Sequence, residues 1–314
     1  MSSGPSIALT GATGFVGRFL LEDLKRRGYR VRALLRHPDA LLPEIESAII
    51  GDLARPANLA QALRGIDYVV HSAAIAHAMS GRPDDDYRTI NTQATVALAR
   101  AGAAAGVKRF VFLSSIRAQS DASATSILTE DMEPAPTDAY GRSKLEAERA
   151  LAALGIDWVA LRPVLVYGPG VKGNLAALFK LARMPIPLPF RGFKAKRSLL
   201  SIDNLSGAVD AVIRAETSPN RALIAADSTP VTLGEIVAAY RSGMGRSAGL
   251  LNIPPGIVNG SLSLFGKDEL AKRLGGSLVV DSSALRSVGW DSKVDTLSGL
   301  VDLGRAISDG DDVS

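Results

Sequence analysis

Thr10-Gly11-Ala12-Thr13-Gly14-Phe15-Val16-Gly17 is the stretch on which the fold of this chain turns. Ser6 to Thr10 ahead of it is a short apolar run, and Phe19, Leu20, Leu21 and Leu24 behind it recur at helical spacing. That pattern gives a strand, a tight turn and a helix. Gly11 can take backbone angles that a side chain forbids, Gly14 lets the main chain approach a pyrophosphate, and Gly17 lets the helix pack close to the strand. The free N–H groups of the helix's first turn then face phosphate oxygens. Any tight turn favours glycine, but the flanking apolar strand and amphipathic helix point to a dinucleotide.

Working outward, the 314 residues, 46% of them hydrophobic, suit one sizeable α/β domain with a smaller second lobe. The net charge of +4 is spread in mixed-sign segments, with no basic stripe interleaved with aromatics, which argues against a nucleic-acid surface. With no cysteine there are no disulfides, thiolate zinc sites or cysteine nucleophiles. His37, His71 and His77 are too scattered for a ligand set, so no metal is expected. Met1 to Pro5 is too short and polar for a signal peptide, and no apolar run reaches the roughly 18 residues of a membrane helix. A cytoplasmic protein without membrane insertion is expected.

Tyr29 to Leu35 reads as the second strand, leading into Arg36. An acid at the end of that strand would bind the adenosine 2'-hydroxyl of NAD(H); here it is missing, and Arg36 favours the 2'-phosphate of NADP(H), with NAD(H) the alternative. Ala48 to Ile50 reads as a third strand before Gly51-Asp52-Leu53, and Ile66 to His71 as a fourth before Ser72-Ala73-Ala74. Gly106 to Ser115 supplies a fifth, with the hydroxyls of Ser114 and Ser115 at its C-terminal end. Helices are expected at residues 56–64, 84–105 and 138–154. The alternation predicts a Rossmann-type, doubly wound parallel sheet whose ligand lies across the strands' carboxyl ends.

Tyr140 and Lys144 stand four apart on the expected 138–154 helix and share a face. A phenol with a reference pKa of about 10 is a poor base at neutral pH, and a nearby ammonium favours its phenolate. A hydroxyl from Ser115 could then orient a carbonyl or alcohol beside it.

Together with Asn91, Tyr140-Gly141-Arg142-Ser143-Lys144 and Leu161-Arg162-Pro163-Val164, these motifs resemble the extended short-chain dehydrogenase/reductase family of nucleotide-sugar epimerases, dehydratases and reductases. The resemblance implies that Ser115 bonds the reacting oxygen, Tyr140 is the general acid/base, and Lys144 holds the nicotinamide ribose and depresses the tyrosine. It assigns the cofactor side to Gly11, Thr13, Gly14, Phe15, Val16, Gly17, Arg36, Asp52, Leu53, Ala73, Ala74, Asn91, Ser114, Tyr140, Lys144 and Pro163. Within that set Ser114 would be a strand-end contact and Asn91 a structural helix residue. Ser115, Asn174 and Arg197 would bind a UDP-sugar, the arginine pairing with its diphosphate. Many relatives carry a second arginine after the late Gly-Trp, where this chain has Asp291, leaving Arg273 or Lys272 to take over.

Residues 1–168 are expected to hold NAD(P), with segments near 197–226 completing the sheet, and residues 169–314 to form mainly a substrate-binding lobe. Met184-Pro185-Ile186-Pro187-Leu188-Pro189 should run extended over the pocket. The resemblance also implies a homodimer through the 84–105 and 138–154 helices. Ile116 and Arg117 come after Ser115 where dehydratases carry acids. The segments resemble most a bacterial subgroup that includes 4-ketoreductases forming UDP-N-acetylquinovosamine, often labelled UDP-sugar 4-epimerases. Reduction of a 4-keto-6-deoxy-hexosamine is the favoured expectation, 4-epimerisation on retained NAD the alternative, and a non-catalytic NADP(H) sensor the reading from another class.

Overall fold

The computed structural model describes residues 4–38, 45–75, 83–264 and 275–308. Strands β1 (Ser6–Thr10), β2 (Arg30–Leu35), β3 (Ser47–Ile49), β4 (Tyr68–His71), β5 (Arg109–Leu113) and β6 (Trp158–Pro163) enter one sheet. Short strands β7 (Leu165–Tyr167), β8 (Lys196–Arg197) and β9 (Leu199–Ser201) lie outside it, and β10 (Ala222–Ala225) returns to complete it. The order is β10-β6-β5-β4-β1-β2-β3, with every pairing parallel. All residues of β1 and β5 are buried, as continuous apolar strands covered on both faces must be. The order reverses between β1 and β4, and the crevice above that switch point is where such sheets bind ligands.

Helices α1 (Phe15–Arg26), α2 (Leu59–Ala62), α3 (Asp84–Tyr87), α4 (Ala94–Ala104) and α5 (Ala139–Ala152) accompany the first six strands. The expected 56–64 helix contracts to α2, entered through Asn58 in the left-handed region at φ 57°. The expected 84–105 helix is broken by a π-helical turn, Arg88–Gln93, between α3 and α4. The break carries the buried Asn91, whose amide accepts from Ile75 N (2.9 Å) and donates to Ile75 O and Ser143 Oγ. Single wide turns of this kind inside an α-helix are the usual form of π-helix.

Beyond β6, α6 (Gly173–Arg183), α7 (Ile202–Arg214) and α8 (Leu233–Gly243) are succeeded, among others, by a helix over Thr296–Ser308. Phe179 of α6 stacks on Tyr240 of α8 at 4.4 Å, and Leu188, Val237 and Leu300 join them in a core separate from the two on the sheet's faces. The proline segment is placed differently from expectation. It leaves α6 and is held against α8 by Arg241, whose guanidinium donates to the carbonyls of Ala182, Met184, Ile186, Ala248 and Gly249. No residue from Met184 to Pro189 lines the cavity beside Ser115; the carbonyls left without helix partners where α6 ends are satisfied by the arginine. No described helix is long and apolar enough to cross a membrane.

Candidate active site

The glycine loop is built by contact distances that leave no room for side chains. Gly11 has φ +73°, and a Cβ on it would lie 2.7 Å from Ser72 Oγ and 2.8 Å from Ala73 N. Ser72 Oγ donates to Thr10 O, and Ala73 N to Thr10 Oγ1, so the segment after β4 is laced to the end of β1. A Cβ on Gly17 would stand 1.9 Å from Gly11 O, which fixes how near α1 approaches the strand. Gly14 caps α1 with no side-chain acceptor, and no acid occupies the first turn. Its orphan N–H groups therefore suit an anion. Thr13, Gly14 and Ala74 are exposed, and Phe15, Val16, Leu53 and Ala73 partly so. This cradle fits the diphosphate of a dinucleotide. Arg36 after β2 and Asp52 after β3 pair Nη2 to Oδ2 at 2.6 Å, the arginine exposed and the aspartate partly so.

Ser115 leaves β5 and opens a short 3-10 turn, its Oγ accepting from Arg117 N at 3.2 Å. Helix α5 starts at Asp138, whose Oδ1 accepts from Gly141 N at 2.6 Å. Tyr140 lies one residue into the helix, partly exposed, its phenol hydrogen-bonded to Ser115. Lys144, one turn on, is 2% exposed. Its Nζ donates to Leu113 O at 2.7 Å, 4.5 Å from the Phe112 ring centre and 6.0 Å from that of Tyr140. Burial pushes the ammonium down to about 7, with Glu148 opposing. Burial pushes the Tyr140 phenol up, opposed by the Ser115 hydrogen bond and the Arg117 charge. The phenol is thus held above its usual range in this structure, with Ser115 and Arg117 limiting the rise. The Lys144 ammonium is turned to a backbone carbonyl.

Two further residues given to the cofactor side are buried. Ser114 is 4% exposed, and its hydroxyl donates to Glu148 Oε1 in the core. Asn91 is fully buried with its amide engaged by Ile75 and Ser143. It frames the chain after β4, by bonding Ile75 on one side and Ser143 of α5 on the other. Glu148, missed by the reading of motifs, stands one turn past Lys144 and binds Arg162 at 2.5 Å, the two 4% and 5% exposed. Arg162 also donates to Gln119 Oε1. The signal was present: an arginine inside the apolar run Trp158–Pro163 requires a buried counter-ion.

Ser115, Pro163, Asn174 and Arg197 do converge, on one cavity of about 370 Å³. Its remaining walls are largely apolar, with Ile116, Val164, Leu175, Leu178 and Leu278 among them, and Arg117 on the Ser115 side. Asn174 is exposed on the first turn of α6. Arg197 is partly buried, donates from Nη2 to Gly276 O at 3.0 Å, and is held below the usual arginine range by burial. Asp291 lies elsewhere, in a separate hollow with Arg27 and Asp210, while Trp290 beside it is buried and donates to Asn204 O. Arg273 and Lys272 fall outside the described residues.

A parallel sheet with a glycine cradle at its switch point, and a serine, tyrosine and lysine at the adjoining strand and helix, define a short-chain dehydrogenase/reductase of the extended type. Residues 7–225 match the model of the NAD dependent epimerase/dehydratase family, and the chain belongs to that family. It is similar to the UDP-glucose 4-epimerase of Vibrio cholerae, 38% identical over 301 residues, covering 91% of this chain and 90% of that one. It is 29% identical over 257 residues to the ceramide reductase of Caulobacter vibrioides, covering 80% and 75%. The structure of MoeE5 in complex with UDP-glucose and NAD superposes with a TM-score of 0.73 and 26% identity, covering 97% of this chain and 99% of that one.

Proposed function

We propose that the chain is a 4-epimerase of a UDP-sugar working on a retained NAD. The observation that carries this reading is the cavity in which Ser115 faces Asn174 and Arg197, supported by the likeness to the Vibrio cholerae enzyme over nine-tenths of both chains. A bound nicotinamide would take up a hydride from C4 of the sugar and return it to the opposite face. Tyr140 accepts the C4 hydroxyl proton as the carbonyl forms and gives it back on reduction. Ser115 holds the same oxygen, and Lys144 binds the nicotinamide ribose once its ammonium leaves Leu113 O. Arg197 and Asn174 hold the UDP portion in the lobe of residues 169–314, while residues 1–168 and β10 hold the cofactor. The cofactor expectation shifts from NADP(H) to NAD(H), because Arg36 is paired with Asp52 and an added 2'-phosphate would have to compete with that carboxylate.

A second reading, 4-ketoreduction with dissociable NADPH, is supported by the missing acid at the end of β2. A non-catalytic sensor has less support, since Ser115, Tyr140 and Lys144 are all present and assembled. The apolar walls suit a lipid-like substrate, against which Asn174 and Arg197 count. We further propose a cytoplasmic homodimer formed through the outer faces of α4 and α5.

Purified protein tested on UDP-glucose and UDP-N-acetylglucosamine should form the 4-epimer of one of them without added cofactor, and Tyr140→Phe should lower turnover at least ~100-fold while retaining NAD. Stoichiometric oxidation of NADPH by a UDP-4-keto-6-deoxy-hexosamine, with no epimer formed, would transfer the assignment to the reductase.

A further inference from the structure

Ser115 and Tyr140 belong to different elements, and one side chain joins them. Arg117 sits two residues after Ser115 in the 3-10 turn, where its N–H bonds the serine oxygen. Its carbonyl faces the first turn of α5 so closely that a Cβ on Gly141 would lie 2.3 Å from Arg117 O. Its guanidinium donates from Nη2 to Asp138 Oδ2 at 2.5 Å and from Nη1 to Asp121 Oδ1 at 2.8 Å. The other oxygen of Asp138 caps α5 at Gly141. The arginine side chain is 16% exposed and lines the cavity beside Ser115. A buried fork with two charged partners is rigid in a way a lysine is not.

We infer that Arg117 is a positioning residue, which holds Ser115 and Tyr140 in register by bridging the serine turn to Asp138, the cap of the tyrosine's helix. The inference rests on the roles given above to Ser115 and Tyr140. It also has an electrostatic side that can be read without substrate. The groups facing Tyr140 are Ser115, Arg117 and Asp138, Tyr87 with ring centres 6.5 Å apart, and Lys144. Removing Arg117 leaves the Asp138 carboxylate uncompensated beside the phenol. Removing the Asp138 charge does the reverse, and asparagine can still cap the helix.

The test is a tyrosinate absorbance titration of the NAD-loaded protein, read immediately after a pH jump, with the corresponding Tyr140→Phe protein subtracted in each background. Arg117→Met should raise the midpoint by roughly one pH unit, and lower kcat at least tenfold with KM within about threefold. Arg117→Lys should return the midpoint close to wild type while recovering kcat only partly, because it restores charge without the fork. Asp138→Asn should move the midpoint down and also lower kcat, which keeps the idea open to refutation if Arg117→Met does not fold. An unmoved midpoint in a folded Arg117→Met protein, or in Asp138→Asn, overturns the inference. If no UDP-sugar is turned over, the proposed function fails on its own, and the titration still decides the role of Arg117.

Discussion

Replacing Glu148 with leucine should strand a cation in the middle of the molecule. Arg162 and Glu148 are 5% and 4% exposed, with Nε donating at 3.0 and 3.2 Å and Nη2 at 2.5 Å. Without the carboxylate, Gln119 is the remaining side chain on the guanidinium, and the Ser114 hydroxyl loses its acceptor. Breaking a buried ion pair from one side costs about 3–5 kcal/mol. Two charge-assisted hydrogen bonds at about 1.5–3 kcal/mol each arrive at the same range. For a chain of this length, at about 2 °C per kcal/mol, the melting temperature should fall by roughly 6–10 °C. Glu148→Leu with Arg162→Met removes both charges and keeps the volume, so the double variant should recover most of the loss. Thermal unfolding followed by circular dichroism, at one fixed cofactor concentration, measures all three proteins. A loss below about 1 kcal/mol for Glu148→Leu, or a double variant no better than the single, would refute the reasoning.

Two other perturbations test the cradle and the acid side of stability. Gly17→Ala puts a methyl 1.9 Å from Gly11 O; α1 must retreat, and NAD affinity measured by fluorescence titration should drop at least ~10-fold in a protein that still folds. Unchanged affinity would remove Gly17 from the cradle. Burial holds the carboxyl of Asp227 up to about 6, against 3.8 unperturbed, despite hydrogen bonds from Asn204 and Ser201. The folded protein keeps this proton while the unfolded chain releases it, so stability falls as pH rises from about 4 to 6, by about 3 kcal/mol in all. Asp227→Asn should flatten that decline in urea unfolding curves. A slope identical to wild type would show that the carboxyl does not titrate there.

The features legible in the sequence were those that depend on local period and backbone sterics. Gly11 and Gly17 announce their turn because no other residue fits it, and Tyr140 and Lys144 announce a shared face because helices repeat every 3.6 residues. Arg36 shows the limit of that reading: counting charges along the chain found the arginine, while its partner Asp52 comes from the far side of β3, a tertiary fact. Ser114 was given to the cofactor because it ends a buried strand, yet neighbouring residues on a strand point to opposite faces, and of the two serines only Ser115 opens on the cavity. The π-helical turn at Arg88–Gln93 left no trace, since the contacts that Asn91 makes within it, with Ile75 and Ser143, are tertiary. The prolines after α6 were read correctly as helix-ending and wrongly as a cover for the pocket, for want of knowing where Arg241 would stand.

The return of β10 to the sheet has a consequence for how such enzymes can be recombined. Ala222–Ala225 pairs with β6 from Ala160 to Pro163, so a chain severed after residue 168 would present β6 as a bare apolar edge, a template for aggregation. Swapping residues 169–314 as a cassette is therefore expected to fail at that boundary. A chimera joined beyond Ala226 would leave the sheet closed and exchange only the segments C-terminal to β10, with the price that α6 and Arg197 stay with the parent.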